Sequence, residues 1–84
     1  MPDQIARTPK QAGEALRRRR RSLSLRQQEL GVKAHLRQAT ISGLESGEAD
    51  TQLSTFFDVL TALELELVIR PRTKASTDSI EELF

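Results

Sequence analysis

The sequence predicts an all-α domain of four helices with one short C-terminal β-strand. Three observations carry that prediction. Apolar residues recur at three- and four-residue spacing through most of the chain. Capping and breaking residues divide that span into four pieces. The spacing then drops to two between Leu63 and Ile69. The 84 residues amount to one domain with polar ends. Residues 1–7 are expected to be a flexible N-terminus, 8–71 the folded domain and 72–84 a flexible tail.

Thr8 before Pro9 is an N-cap followed by a proline at the first helical position, where its missing N–H costs nothing. A first helix from Pro9 to about Arg21 follows. Ala12, Ala15, Leu16 and Leu23 give it a thin apolar stripe. The arginines at 17–21 close it, and cations are stabilised near a helix C-terminus. Consecutive residues advance about 100° each, so this run points all round the helix. Two or three of its members at most can face one phosphate backbone.

Ser24-Leu25-Arg26-Gln27 has the Ser-x-x-Gln form of a capping box. It places the start of a second helix near Leu25, running to about Lys33, with Leu30, Gly31 and Ala34 inward. Ala34-His35-Leu36 is a short turn. A third helix covers Gln38 to about Ser46, with Ile41 and Leu44 facing in and Gly47 just past its end. Asp50 or Thr51 caps a fourth. There Leu53, Phe56, Phe57, Leu60 and Leu63 fall at i, i+3, i+4, i+7 and i+10, the strongest helical periodicity in the chain.

Leu63, Leu65, Leu67 and Ile69 then alternate, which predicts a strand ended by Pro71. A lone strand needs a partner, and the chain holds no second candidate. The simplest partner is the same strand of a second copy, related by a two-fold axis. Leu65, Leu67, Val68 and Ile69 are therefore the expected dimerisation residues of a homodimer.

Charge is divided along the chain. Residues 1–40 hold ten Lys and Arg against three Asp and Glu, and residues 41–84 hold three against nine. The total of +1 hides a basic half suited to a polyanion. The absence of cysteine excludes a disulfide scaffold and a Cys-based zinc site. His35 is the only histidine, so there is no zinc or Cys/His constellation, and no serine or threonine has a histidine at motif spacing. Glu64 with Glu66, and Glu81 with Glu82, are solvated residues and not paired catalytic carboxylates. The expectation is a non-enzyme without cofactor, metal or small-molecule substrate. No apolar run approaches the roughly 20 residues of a bilayer span, and residues 1–10 lack an apolar signal core. A cytoplasmic protein without a membrane partner is expected.

Residues 27–45 carry the chemistry. Two short helices joined by a tight turn let the second helix protrude into a DNA major groove. Leu30, Leu36, Ile41 and Leu44 hold the pair together, and Gly31 is the small residue where the helices cross. The protruding face is expected to present Gln38, Ala39, Thr40, Ser42 and Gly43, with Arg37 just before it. Gln bonds bidentately to adenine N6/N7, Ala touches a thymine methyl, and Arg reaches guanine or a phosphate. Arg26 and Gln27, at the start of the second helix, suit a backbone phosphate, helped by the free N–H groups there.

The same residues carry a resemblance. Gln27-Gln28-Glu29-Leu30-Gly31, Gln38-Ala39-Thr40-Ile41-Ser42 and Glu45-Ser46-Gly47 resemble the Xre/Cro/λ-repressor class of helix-turn-helix domains. More narrowly, residues 37–42, Leu53-Ser54-Thr55-Phe56-Phe57 and residues 60–65 resemble HipB antitoxins of HipA/HipB toxin–antitoxin pairs. The resemblance spans about residues 8–70. It implies a λ-repressor-like fold and a homodimer joined by a two-stranded intersubunit sheet. It implies binding to palindromic double-stranded operator DNA, autorepression, and neutralisation of a HipA-type Ser/Thr kinase toxin. It also implies that the C-terminal tail enters the kinase, and Ile80, Leu83 and Phe84 match by position and character. The alternative is a stand-alone Xre-type regulator without a toxin. Two departures stand out. His35 occupies a turn position where the class favours Gly, and Arg37 stands where a Ser N-cap is common.

Overall fold

Thr8 opens the first helix. Its hydroxyl oxygen accepts from the Gln11 N–H at 3.1 Å, Pro9 follows at the first helical position, and α1 spans Pro9–Ser22. The computed structural model describes residues 3–72. Within them α2 spans Gln27–Ala34, α3 spans Gln38–Glu45 and α4 spans Leu53–Ala62. The all-α architecture of four helices is as the periodicity predicts. Ahead of α1, residues 3–7 lie along the helix without regular structure of their own. Gln4 Oε1 accepts from Arg18 Nε and Nη2 at 3.1 and 2.6 Å, and the Arg7 N–H donates to Gln11 Oε1 at 2.7 Å.

The second helix starts two residues later than the Ser24 pattern predicts. Arg26 is its N-cap residue, and the Glu29 carboxylate accepts from the Arg26 backbone N–H at 2.7 Å. The two registers 24/27 and 26/29 both offer an acceptor three residues on. The charged carboxylate of Glu29 accepts more strongly than the Gln27 amide. Ser24 turns the chain instead, at φ 58°. Nor does Asp50 or Thr51 cap α4. Gln52 is the N-cap residue, without a side-chain bond, and the Thr51 hydroxyl donates to the Glu48 carbonyl at 3.5 Å.

All four helices end in the same way. An N–H two or three residues past each helix's last residue reaches back five residues: Leu25 to the Arg20 carbonyl, Leu36 to Gly31, Glu48 to Gly43 and Leu65 to Leu60, at 2.8–3.1 Å. This paired-bond ending needs a left-handed residue just before that donor. Ser24, His35, Gly47 and Glu64 take that place, at φ 58°, 60°, 87° and 58°. Only one of them is a glycine. His35 thus adopts the conformation that its position demands, and the turn between α2 and α3 forms around it.

Leu16, Leu30, Ile41, Leu44, Val59, Leu60 and Leu63 form one core. Each fully buried aliphatic side chain contributes about 1.5–3 kcal/mol, which makes this small cluster the main source of stability. α2 packs on α3 and α4, and α1 packs on α3. Gly31 lies at the close approach, where an added Cβ would meet the Leu36 carbonyl oxygen at 2.7 Å. The apolar stripe of α4 is narrower than its periodicity predicts. Val59 joins Leu60 and Leu63 inside, Phe56 is half-buried, and Leu53 and Phe57 are exposed. The core covers only the C-terminal part of α4, so its first turn keeps its apolar residues outside.

The predicted strand is not present among the described residues. Residues 65–72 carry no regular structure. Leu65 is half-buried against the core, whereas Leu67, Val68 and Ile69 are exposed, Ile69 by 90%. A strand exists only against a bonding neighbour, and a single chain supplies none. Residues 73–84, and with them Ile80, Leu83 and Phe84, lie outside the described residues.

Candidate nucleic-acid interface

α3 has a fixed back and an open front. Ile41, Leu44 and Glu45 are buried behind it. Gln38, Ala39, Ser42 and Ser46 are exposed on the other side, with Arg37 exposed just ahead of the helix. Residues 38, 42 and 46 follow the four-residue spacing that lines up one helix face. Thr40 is half-buried at the edge of that face. Gly43 is not part of it. It is buried, and a Cβ there would meet the Glu48 carboxyl carbon at 2.8 Å. The open face is therefore narrower than the sequence suggests, because Glu48 folds back over the helix at that point.

A buried ion pair holds this helix in place. Arg20 Nε donates to Glu45 Oε2 at 2.6 Å and Arg20 Nη2 to Glu45 Oε1 at 3.0 Å. Arg20 Nη1 also donates to the Leu25 carbonyl at 2.7 Å. The hydrogen bond to Glu45 raises the Arg20 guanidinium above its ordinary pKa, against the opposing effect of burial. The Gln27 amide joins the cluster and donates to Glu45 Oε1 at 3.1 Å. Residues of α1, α2 and α3 are thereby locked at one point. An amide carries two N–H donors, so Gln27 is oriented by Glu45 and keeps a second donor.

The arginine run is sorted by its phase around α1. Arg20 is buried, Arg19 is half-buried with its Nε on the Leu63 carbonyl at 2.9 Å, and Arg17, Arg18 and Arg21 are exposed. The sequence shows that the run points all round the helix, but not that Arg20 is the member that turns inward to pair with Glu45. Arg26 is exposed beside Gln27 and lies 3.6 Å from Glu29. Neither Arg26 nor Arg37 caps its helix with its own side chain, and at α2 Glu29 takes only the Arg26 N–H. The leading N–H groups of both helices are open to an anion.

Other chemistries find no footing. Among the described residues no cluster of His, Cys, Asp and Glu could hold a metal ion. No helix among them is long and apolar enough to cross a membrane.

A pair of crossed short helices with a polar, exposed second member is the hallmark of a DNA-reading domain. A helix-turn-helix family model matches residues 16–69, and the chain belongs to that family. Its relatives include HipB antitoxins. The chain is 36% identical over 75 residues to antitoxin HipB of Escherichia coli (strain K12), covering 89% of this chain and 85% of that one. The structure of a HipA-HipB-O2-O3 complex contains a chain that matches with a TM-score of 0.78 at 34% identity, over 84% of this chain and 100% of that one. The structure of a HipB-O4 20mer complex matches with a TM-score of 0.79 at 34% identity and the same coverage.

Proposed function

We propose that this protein is a HipB-like antitoxin that binds palindromic operator DNA as a homodimer, represses its own operon and neutralises a HipA-type Ser/Thr kinase. The observation that carries the reading is the front of α3, where Gln38, Ala39 and Ser42 stand exposed over a back fixed by Ile41, Leu44 and Glu45. In a major groove Gln38 is suited to adenine, Ala39 to a thymine methyl, and Arg37 to guanine or phosphate. Thr40, at the edge of the face, and Ser42 add short contacts. Arg26, Gln27 and the open first turn of α2 hold a phosphate and set the register on the duplex. Gly43 makes no direct contact in this reading.

The solved HipB relatives support the partners, since their structures are complexes with HipA and with DNA. Residues 65–69 supply the dimer contact through Leu65, Leu67, Val68 and Ile69. The tail residues Ile80, Leu83 and Phe84 dock on the kinase. The protein itself performs no catalysis and acts in the cytoplasm.

Binding to the palindrome upstream of its own gene tests the DNA half. Gln38→Ala and Ala39→Glu should each weaken it, and unchanged affinity in both variants refutes the proposed reading face. Co-purification with the kinase of the neighbouring gene tests the other half. A protein that binds operator but captures no kinase is a stand-alone regulator.

A further inference from the structure

Four charges flank the exposed apolar segment in a symmetrical way. Glu64 and Glu66 precede Val68 by four and two residues, and Arg70 and Arg72 follow it by two and four. All four are exposed. Among the described residues none of them forms an ion pair within the chain. Leu67, Val68 and Ile69 between them are also exposed, and an open groove of about 1000 Å³ runs beside this segment, lined by Ile5, Phe56 and Leu60.

We propose that residues 65–71 of two copies pair antiparallel about a two-fold axis through Val68. Glu66 then faces the partner's Arg70, while Glu64, turned at φ 58° to end α4, lies just outside the paired stretch. The proposal rests on the homodimer reading above and adds its register and its ion pairs.

The pattern of the segment selects this register from its neighbours. In a strand, alternate residues share a face. Leu65 is seated against the core, so in the paired strand Leu67 and Ile69 take its side, while Glu66, Val68 and Arg70 take the other. A slip by an odd number of residues leaves only the central pair apolar and sets Leu67 or Ile69 against a charged residue beside it. An axis through Leu67 puts Glu66 opposite the partner's Val68. An axis through Ile69 puts Val68 opposite the partner's Arg70. The axis through Val68 puts Leu67 opposite the partner's Ile69, Val68 opposite the partner's Val68, and Glu66 opposite the partner's Arg70. Opposite charges directly across an antiparallel pair are favourable, and like charges are unfavourable.

Backbone groups agree. This register sets Leu65 opposite the partner's Pro71. Pro71 has no N–H, and the Leu65 N–H is already spent on the Leu60 carbonyl at 2.8 Å. The pair 65/71 therefore belongs to the non-hydrogen-bonded class. Alternation then makes 67/69 non-hydrogen-bonded, and 66/70 and 68/68 hydrogen-bonded. Neither facing residue at that end of the ladder therefore has an N–H left to donate.

A chain without cysteine makes the test direct. Across a hydrogen-bonded pair the Cα atoms lie about 5.5 Å apart, within disulfide range. Under mild oxidation Val68→Cys should form a covalent dimer faster than Leu67→Cys or Ile69→Cys. In sedimentation at low salt, Glu66→Arg and Arg70→Glu should each weaken the dimer by about tenfold. The double reversal should restore it. Faster cross-linking from position 67 or 69, or a double reversal no better than the single ones, overturns the register. A wild-type chain that stays monomeric overturns the homodimer reading itself.

Discussion

The Arg20 guanidinium grips the Glu45 carboxylate with two hydrogen bonds, at 2.6 and 3.0 Å, and ties the back of α3 to α1. Both side chains are nearly out of solvent, at 10% and 4% exposure. Removing one member of a buried pair strands the other charge, which costs about 3–5 kcal/mol. Arg20→Met should therefore lower the unfolding free energy in urea by about that amount. Replacing both, as Arg20→Met with Glu45→Leu, should recover most of the loss. A loss below about 1 kcal/mol for the single change, within the range of an exposed pair, means that the pair does not hold the helix.

Left-handed residues at three helix ends predict a stabilised variant. Ser24, His35 and Glu64 all sit at φ near 60°, where an L side chain is strained by about 1–2 kcal/mol. Glycine removes that strain but adds unfolded-state entropy. The net gain expected for Ser24→Gly, His35→Gly or Glu64→Gly is about 0.5–1 kcal/mol each. Thermal unfolding checks it. His35→Val should lower the melting temperature, since a β-branched residue tolerates this conformation least.

Acid should loosen the start of α2 before it unfolds the domain. The backbone hydrogen bond from Arg26 holds the Glu29 carboxyl below its ordinary pKa, with a lesser contribution from the Arg26 charge. A depressed carboxyl stabilises the fold fully above its unfolded-state pKa, and that stabilisation fades as pH falls through the lowered folded value. Hydrogen exchange at the first amides of α2 should accelerate over that window. In Glu29→Gln the acid dependence there should vanish. An unaltered pH profile in that variant would disconnect Glu29 from the cap.

Salt dependence of DNA binding should separate the arginines. Each phosphate contact contributes about 0.9 to the slope of log affinity against log salt. Arg26→Gln should lower the slope by about one unit at most. Arg37→Gln should do so only if Arg37 meets phosphate, and should otherwise relax sequence preference at one base pair. Arg20, occupied by Glu45 and the Leu25 carbonyl, should add nothing to the slope.

The four helices are legible in the sequence because each has a buried pair at helical spacing, such as Leu30 with Ala34 and Ile41 with Leu44. Helix ends are less so. Gly47 announces its ending, but Ser24, His35 and Glu64 do not, being polar residues in a glycine's place. The usable signal is the leucine that follows each of them. Leu25, Leu36 and Leu65 all tuck against the core. The front of α3 is readable, except at Gly43, where the cover comes from a glutamate five residues on. Arg20 is hidden by its neighbours. A run of identical residues has no contrast, so its phase around α1 cannot be seen until Glu45 arrives opposite it. The alternation from Leu63 to Ile69 predicts a strand that the single chain does not form, since it supplies no bonding neighbour.

The front of α3 is the centre of the account, and a titration of the isotopically labelled protein with its own operator duplex, followed by amide chemical shifts, tests it most directly. Shifts should concentrate at Arg37, Gln38, Ala39, Ser42 and the first turn of α2, with the amides of α4 little changed. Unmoved α3 amides at saturating duplex, with the changes gathered elsewhere on the domain, would contradict it.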